Sequence, residues 1–155
     1  MDDETAEKLR LEGLRFRVFG TPVPKGSTRA FVNKKTGRAH ITSVGGEKLV
    51  SWNTNVQDRA LEAVRLLMKS EQPELPVFPR GTAVIVELGF AFQKPPSVPK
   101  KRTWPTVRPD LDKAIRSVLD AMTGIIWRDD NQVIVLTAHK MYGDTSCCDV
   151  EVKAL

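Results

Sequence analysis

Asp110 and Asp112 stand one residue apart in Pro109-Asp110-Leu111-Asp112, and Asp129 and Asp130 stand side by side before Asn131 and Gln132. Grouped carboxylates are what hard divalent cations take as ligands. Mg²⁺ in particular binds through a few carboxylates and keeps waters for substrate phosphates. In a basic protein the chemistry such acids can support is metal-assisted hydrolysis of a nucleic-acid phosphodiester. Each acid also has an ordinary structural use. Asp110 precedes an apolar helical pattern and suits an N-cap, and Asp112 in the first turn complements the helix dipole. Asp129-Asp130-Asn131 suits a turn.

The element that must position them is a helix over Asp110–Thr123. Leu111, Ile115, Val118, Leu119 and Met122 recur at helical spacing, and Gly124 is a suitable stop. A helix of about 14 residues is roughly 21 Å long. Its acidic ends therefore meet only if Ile125–Arg128 runs back along it as an extended segment. Asp112, Arg116 and Asp120 follow one another at four-residue steps on the polar face. They form either a surface ion-pair ladder or a site in which Arg116 contacts the phosphate.

Charge supplies the context. The chain carries +5 overall, yet Gly20–Gly46 (Lys25, Arg29, Lys34, Lys35, Arg38) and Leu88–Pro109 (Lys94, Lys100, Lys101, Arg102, Arg108) each carry five bases and no acid. The rest of the chain is therefore net acidic. Two basic segments around an acidic centre suit a polyanionic partner and a cation, and these bases other than Arg108, with Lys113, are the candidate DNA contacts. Trp104, inside the second segment, either stacks on bases or pins the loop to the body. No apolar run is long enough for a membrane span, and the acidic N-terminus is no signal peptide, so the expected location is the cytoplasm. Adjacent Cys147 and Cys148 are expected to be reduced thiols, since neighbouring cysteines rarely bridge.

The remaining segments predict a single domain over 14–155 behind an N-terminal arm, 1–13, read as a frayed helix or disordered. Leu14–Gly20 alternates as a half-buried strand. Ala30–Asn33 and Arg38–Thr42 form a basic hairpin. Glu47–Ser70 is a long helix with Leu49, Trp52, Val56, Ala60, Ala63, Val64 and Leu67 facing the core. Gln72–Gly81 is a proline-rich connector, Thr82–Phe92 a central strand, Gln93–Arg108 a long loop, and Gln132–Tyr142 and Cys148–Lys153 the last strands. The order predicts an α+β fold: a mixed or antiparallel sheet with two main helices on one face.

In these motifs the sequence resembles the RusA family of Holliday-junction resolvases. The resemblance rests on Gly20-Thr21-Pro22-Val23-Pro24-Lys25-Gly26 with Arg29 following, on Pro109-Asp110-Leu111-Asp112, on Asp120-Ala121-Met122-Thr123-Gly124, and on Trp127-Arg128-Asp129-Asp130-Asn131-Gln132-Val133. It implies a homodimeric, Mg²⁺-dependent endonuclease, with Mn²⁺ as a substitute, that nicks opposed strands of four-way DNA junctions. The family is common in phages and prophages. Asp110, Asp112 and Asp130 match its catalytic, metal-binding acids, and Asp129 stands ready to assist. Two positions depart from the pattern: Lys113 replaces an asparagine and Arg116 a lysine. Arginine keeps the charge but does not readily give up a proton. A catalytically weakened junction-binding protein is thus the alternative.

Overall fold

The computed structural model describes residues 3–26, 29–32, 35–37, 39–42 and 46–155, with 29–32 and 39–42 as backbone. A helix α1 (Asp3–Leu11) leads into strand β1 (Leu14–Phe19), followed by β2 (Arg29–Val32) and β3 (Ala39–Thr42). Helix α2 (Gly46–Met68), strand β4 (Val84–Gln93) and helix α3 (Leu111–Met122) come next. A 3₁₀ turn (Asp130–Gln132) then precedes β5 (Val133–Gly143) and β6 (Cys147–Ala154).

Four strands form one mixed sheet in the order β1-β6-β4-β5. β6 runs antiparallel to both β1 and β4, whereas β4 and β5 are parallel. Parallel strands need a crossover, and α3 supplies it. β4, α3 and β5 are therefore one βαβ unit, and the carboxyl ends of its strands lie beside the N-terminus of α3.

Alternation sets the core. Val84, Val86, Leu88, Phe90 and Phe92 of β4 are buried on the helix-covered face, with Leu14, Val18, Val150 and Val152 from the flanking strands. Leu49, Trp52, Val56, Ala60 and Val64 of α2 meet them, as do Ala114, Val118, Ala121 and Met122 of α3. Trp52 is core, as its place on the apolar stripe predicts. The opposite face is open and polar, carrying the pairs Arg15–Glu151 and Arg17–Asp149. The hydrogen bond from Arg15 holds the Glu151 carboxyl below its usual range.

The N-terminal arm is a helix rather than a loose tail, because Leu9 is inserted in the core. The basic hairpin forms a separate two-stranded sheet with Arg29 opposite Thr42 and Val32 opposite Ala39. Asn33, Lys34 and Arg38 of that expected hairpin lie outside the described residues. Both cysteines are free and buried in β6, and burial pushes the Cys148 thiol well up. Among the described residues no helix is long and apolar enough to cross a membrane.

Candidate metal and nucleic-acid site

Asp110 occupies the N-cap position of α3, with extended backbone, yet its side chain makes no capping hydrogen bond. Its only side-chain partner among the described residues is Lys113, at 3.4 Å. Asp112 and Arg116 are exposed and engage no hydrogen bond or ion pair among the described residues. The cheap structural use of Asp110 is therefore declined. Two exposed carboxylates project from the first turn of a helix whose dipole already favours negative charge there. That donor set, hard oxygens one residue apart with room for water, fits what Mg²⁺ accepts.

The approach to this turn is fixed from β5. Lys140 Nζ donates to the carbonyls of Val107 (2.8 Å) and Pro109 (2.9 Å), which locks the backbone entering Asp110. The sequence reading missed this positioning role. The signal available was that Lys140 is the one Lys, Arg, Asp or Glu in the strand Val133–Gly143. The Gly20–Gly26 turn buttresses α3 from the other side. Lys25 donates its backbone N–H to Lys113 O (3.0 Å) and pairs through its ammonium with Asp120. Asp120 thus closes the ladder with Lys25, and Arg116 is left facing solvent.

The second acid pair sits elsewhere. Gly124 donates to Trp127 O (2.7 Å) and Ile126 to Met122 O (2.9 Å), so Ile125–Trp127 curls at the C-terminal end of α3. The extended return expected of Ile125–Arg128 is not made. That segment instead pairs with the proline-rich connector, where Val77 and Phe78 donate to Ile125 O and Ile126 O. The return is made by β5. With 12 helical residues between them, Asp110 and Asp130 of one chain lie roughly 20 Å apart. Among the described residues no three His, Cys, Asp or Glu side chains gather into one cation-holding group.

The two acids of this turn differ in use. Asp129 caps the 3₁₀ turn, accepting from Asn131 N–H (3.0 Å). Gln132 Oε1 answers by accepting from the Arg128 and Asp129 N–H groups (3.0 and 3.2 Å). This is a capping box, legible in the spacing Asp129-x-x-Gln132. Asp130 is exposed and without a partner among the described residues. Gln132 is the hub of the turn. It is buried, and its Nε2 reaches the carbonyls of Pro79 (2.9 Å), Thr82 (3.1 Å) and, more distantly, Phe78 (3.4 Å). Gln132→Leu strands these groups and is expected to cost about 2–4 kcal/mol. Urea unfolding measures it, and a loss under about 0.5 kcal/mol would show that the hub is not structural.

The basic segments divide as well. Lys94 is turned inward: its ammonium bonds Lys100 O (3.2 Å) and Arg102 O (2.8 Å) and lies 5.6 Å from the Tyr142 ring centre. It organises the 94–109 loop instead of projecting from it. Lys100 and Lys101 are exposed, Arg102 half-buried, and Trp104 is 62 % exposed, which rules out the pinning role for that side chain. Lys35 is exposed at the hairpin turn, while the side chain of Arg29 lies outside what is described. Arg80 and Arg128, not anticipated, line a cavity of about 620 Å³ beside Asp129 and Asn131.

The sequence pattern of the endodeoxyribonuclease RusA family matches residues 21–153, nearly the whole chain. The chain belongs to the RusA family. RusA-family members are DNA phosphodiester hydrolases that resolve Holliday junctions and generally depend on a divalent metal, so branched DNA is the substrate class. The matched span contains all but Gly20 of the turn that buttresses α3, both acid pairs and the βαβ unit. The chain is also 24 % identical over 151 residues to the uncharacterized protein YqaN of Bacillus subtilis (strain 168), covering 92 % of this chain and 97 % of that one.

Proposed function

We propose that this chain is a Mg²⁺-dependent resolvase that acts as a homodimer and cuts four-way DNA junctions by paired, symmetric nicks in the cytoplasm of a bacterium or phage-infected host. What carries the reading is the RusA match falling on a chain whose Asp110 and Asp112 carboxylates are exposed and uncapped. These two would hold the cation, and Mn²⁺ would substitute. A divalent cation bound there supplies the Lewis acidity that attack of water on phosphorus requires. Arg116, one helical turn from Asp112, faces outward to take the charge that develops on the scissile phosphate. Lys113 neutralises Asp110 until the cation arrives. Lys100, Lys101, Arg102 and Trp104 on the loop, and Lys35 on the hairpin, would meet the DNA.

The third acid, Asp130, would come from a second copy. Among the described residues β5 is an edge strand that pairs only with β4, and it exposes Ile134 (54 %), Val135 (43 %) and Leu136 (42 %) in succession. An apolar, unpaired edge invites strand addition. Twofold symmetry makes such a pairing antiparallel, and centred near Leu136 it sets the start of one β5 against the end of the other. The start carries Asp130, and the end carries Lys140, which holds Pro109 and hence Asp110. Each acidic end thus meets a basic one, and each site receives two carboxylates from one copy and one from its partner. Two such sites related by the same axis suit a symmetric junction.

The deciding experiment incubates the protein with a labelled four-way junction. Paired nicks are expected with Mg²⁺, none after EDTA, and recovery with Mg²⁺ or Mn²⁺. Salt-sensitive binding without scission in either metal supports the second reading, a catalytically weakened junction-binding protein. The observation favouring that reading is that Lys113 is already paired with Asp110 while arginine replaces lysine at 116.

A further inference from the structure

Two arginines that the metal site does not use stand where the chain returns from α3. Arg80 lies in the turn Pro79-Arg80-Gly81-Thr82, which is closed by the Thr82 N–H donating to Pro79 O (3.2 Å). Gly81 takes φ +90° there, a conformation that glycine adopts without strain. Arg128 follows Trp127 and precedes the capped 3₁₀ turn. Both arginines are exposed and line one cleft of about 620 Å³.

One buried side chain holds both positions. Gln132 Nε2 donates to the carbonyls of Pro79 (2.9 Å) and Thr82 (3.1 Å), on either side of Arg80. Its Oε1 accepts from the backbone N–H of Arg128 (3.0 Å). Val77 and Phe78 donate to Ile125 O (3.0 Å) and Ile126 O (2.8 Å), so the two segments are also joined upstream of the arginines. The backbones under both arginines are therefore fixed relative to each other. Neither guanidinium has a hydrogen bond or ion pair among the described residues. Asp129 is the one acid among the described residues lining the cleft. It accepts from Asn131 N–H and pairs with neither arginine. The cleft thus carries two positive charges against one negative. Guanidinium groups held at one cleft without partners suit an anion, and their planar forks match phosphate oxygens.

We infer that Arg80 and Arg128 grip one backbone phosphate of the junction, at a contact separate from the carboxylates at the start of α3. The inference rests on the junction-endonuclease reading and deepens it. Branched DNA is the substrate class, so the anion is a strand phosphate. Within one chain the grip lies at the opposite end of α3 from Asp110. Asp130, the acid offered to a second copy, comes two residues after Arg128. The grip therefore holds the strand where that acid acts. It is a positioning contact and touches no reacting atom.

The test compares full-length wild type with the double variant Arg80→Gln, Arg128→Gln, binding four-way junctions without divalent metal. Both side chains are exposed and unpartnered among the described residues, so the double variant should keep the wild-type thermal midpoint. It is expected to bind at least about tenfold more weakly, the scale of one charge-assisted contact. The slope of log affinity against log salt should flatten by about one, the loss of one neutralised phosphate. Junctions carrying a neutral methylphosphonate at each position in turn locate that phosphate. At one of the positions that weaken wild type, the double variant should show no further loss. Cleavage is read separately with Mg²⁺.

A folded double variant that keeps wild-type affinity and salt slope overturns the grip, and nicking by wild type then leaves the nuclease reading standing. A double variant whose losses match wild type at every methylphosphonate position also overturns it. The expected loss, cancelled at one phosphate, in a protein that cuts nothing keeps the grip and removes the nuclease reading. If the double variant does not fold, Arg80→Gln alone carries the test, and an undiminished methylphosphonate loss at every position overturns the grip. Absence of junction binding by wild type overturns both readings.

Discussion

Asp112→Asn is expected to abolish junction cleavage, by about 10³-fold or more, while leaving fold and junction affinity in place. The size follows from the several kilocalories per mole of transition-state charge stabilisation that a bound cation contributes, each 1.36 kcal/mol being tenfold in rate. Asparagine keeps the shape of the side chain but loses the charge that a hard cation requires. Asp112 is exposed and unpartnered among the described residues, so its replacement should change stability by no more than about 0.5 kcal/mol. Removing a negative charge from a surface that meets phosphates should, if anything, tighten binding. Nicking rates on labelled junctions, gel-shift titration and thermal unfolding read the three quantities separately. Asp120→Asn is the control. That carboxylate pairs with Lys25 and is not placed to hold the cation. Its loss should change stability more than rate. If Asp112→Asn cuts at the wild-type rate, Asp112 is no ligand and the site at the start of α3 is wrong.

The fold was largely legible where burial follows a local period. The stripe of α2, the alternation of β4 and the apolar offsets of α3 name their buried residues directly. Strand order was not, because β6 inserts between β1 and β4 while its chain neighbour β5 lies on the far side of β4. Nothing within either strand encodes that jump. The acids of the site were legible as residue types, but their distribution was not. Asp129 and Asp130 look equivalent in sequence, and only the reciprocal bonds of Gln132 make one a cap and leave the other free. Counting bases likewise overstated the positive charge that these segments turn outward. Lys94 and Lys25 contribute charge to their segments, yet both are directed at the protein's own carbonyls or carboxylate. A charge count carries no side-chain direction. The length of α3 was read correctly in kind, and it is this length that keeps Asp110 and Asp130 apart in one chain.

That separation yields the second large effect. If each site takes Asp110 and Asp112 from one copy and Asp130 from its partner, two inactive chains can make an active dimer. Asp112→Asn alone and Asp130→Asn alone should each be dead, because every site in either homodimer contains a lesion. In a mixed dimer the lesions fall together. One site carries both substitutions, and the other combines the intact Asp110 and Asp112 of one chain with the intact Asp130 of the other. Co-refolding the two inactive variants should therefore restore nicking of one strand per junction, with paired nicks absent. A site built within one chain predicts no recovery, since each copy would keep its own lesion. Leu136→Lys supplies the complementary arm. It places a charge at the centre of the apolar β5 edge, where like charges from two copies would meet across the axis. Leu136 is 42 % exposed in the single chain, so the monomer should fold. Sedimentation should show it dissociated, and cleavage should fall with the dimer. Recovery in the mixture together with loss in Leu136→Lys ties the metal site to the β5 edge. Full cleavage by a monomeric Leu136→Lys chain would separate them.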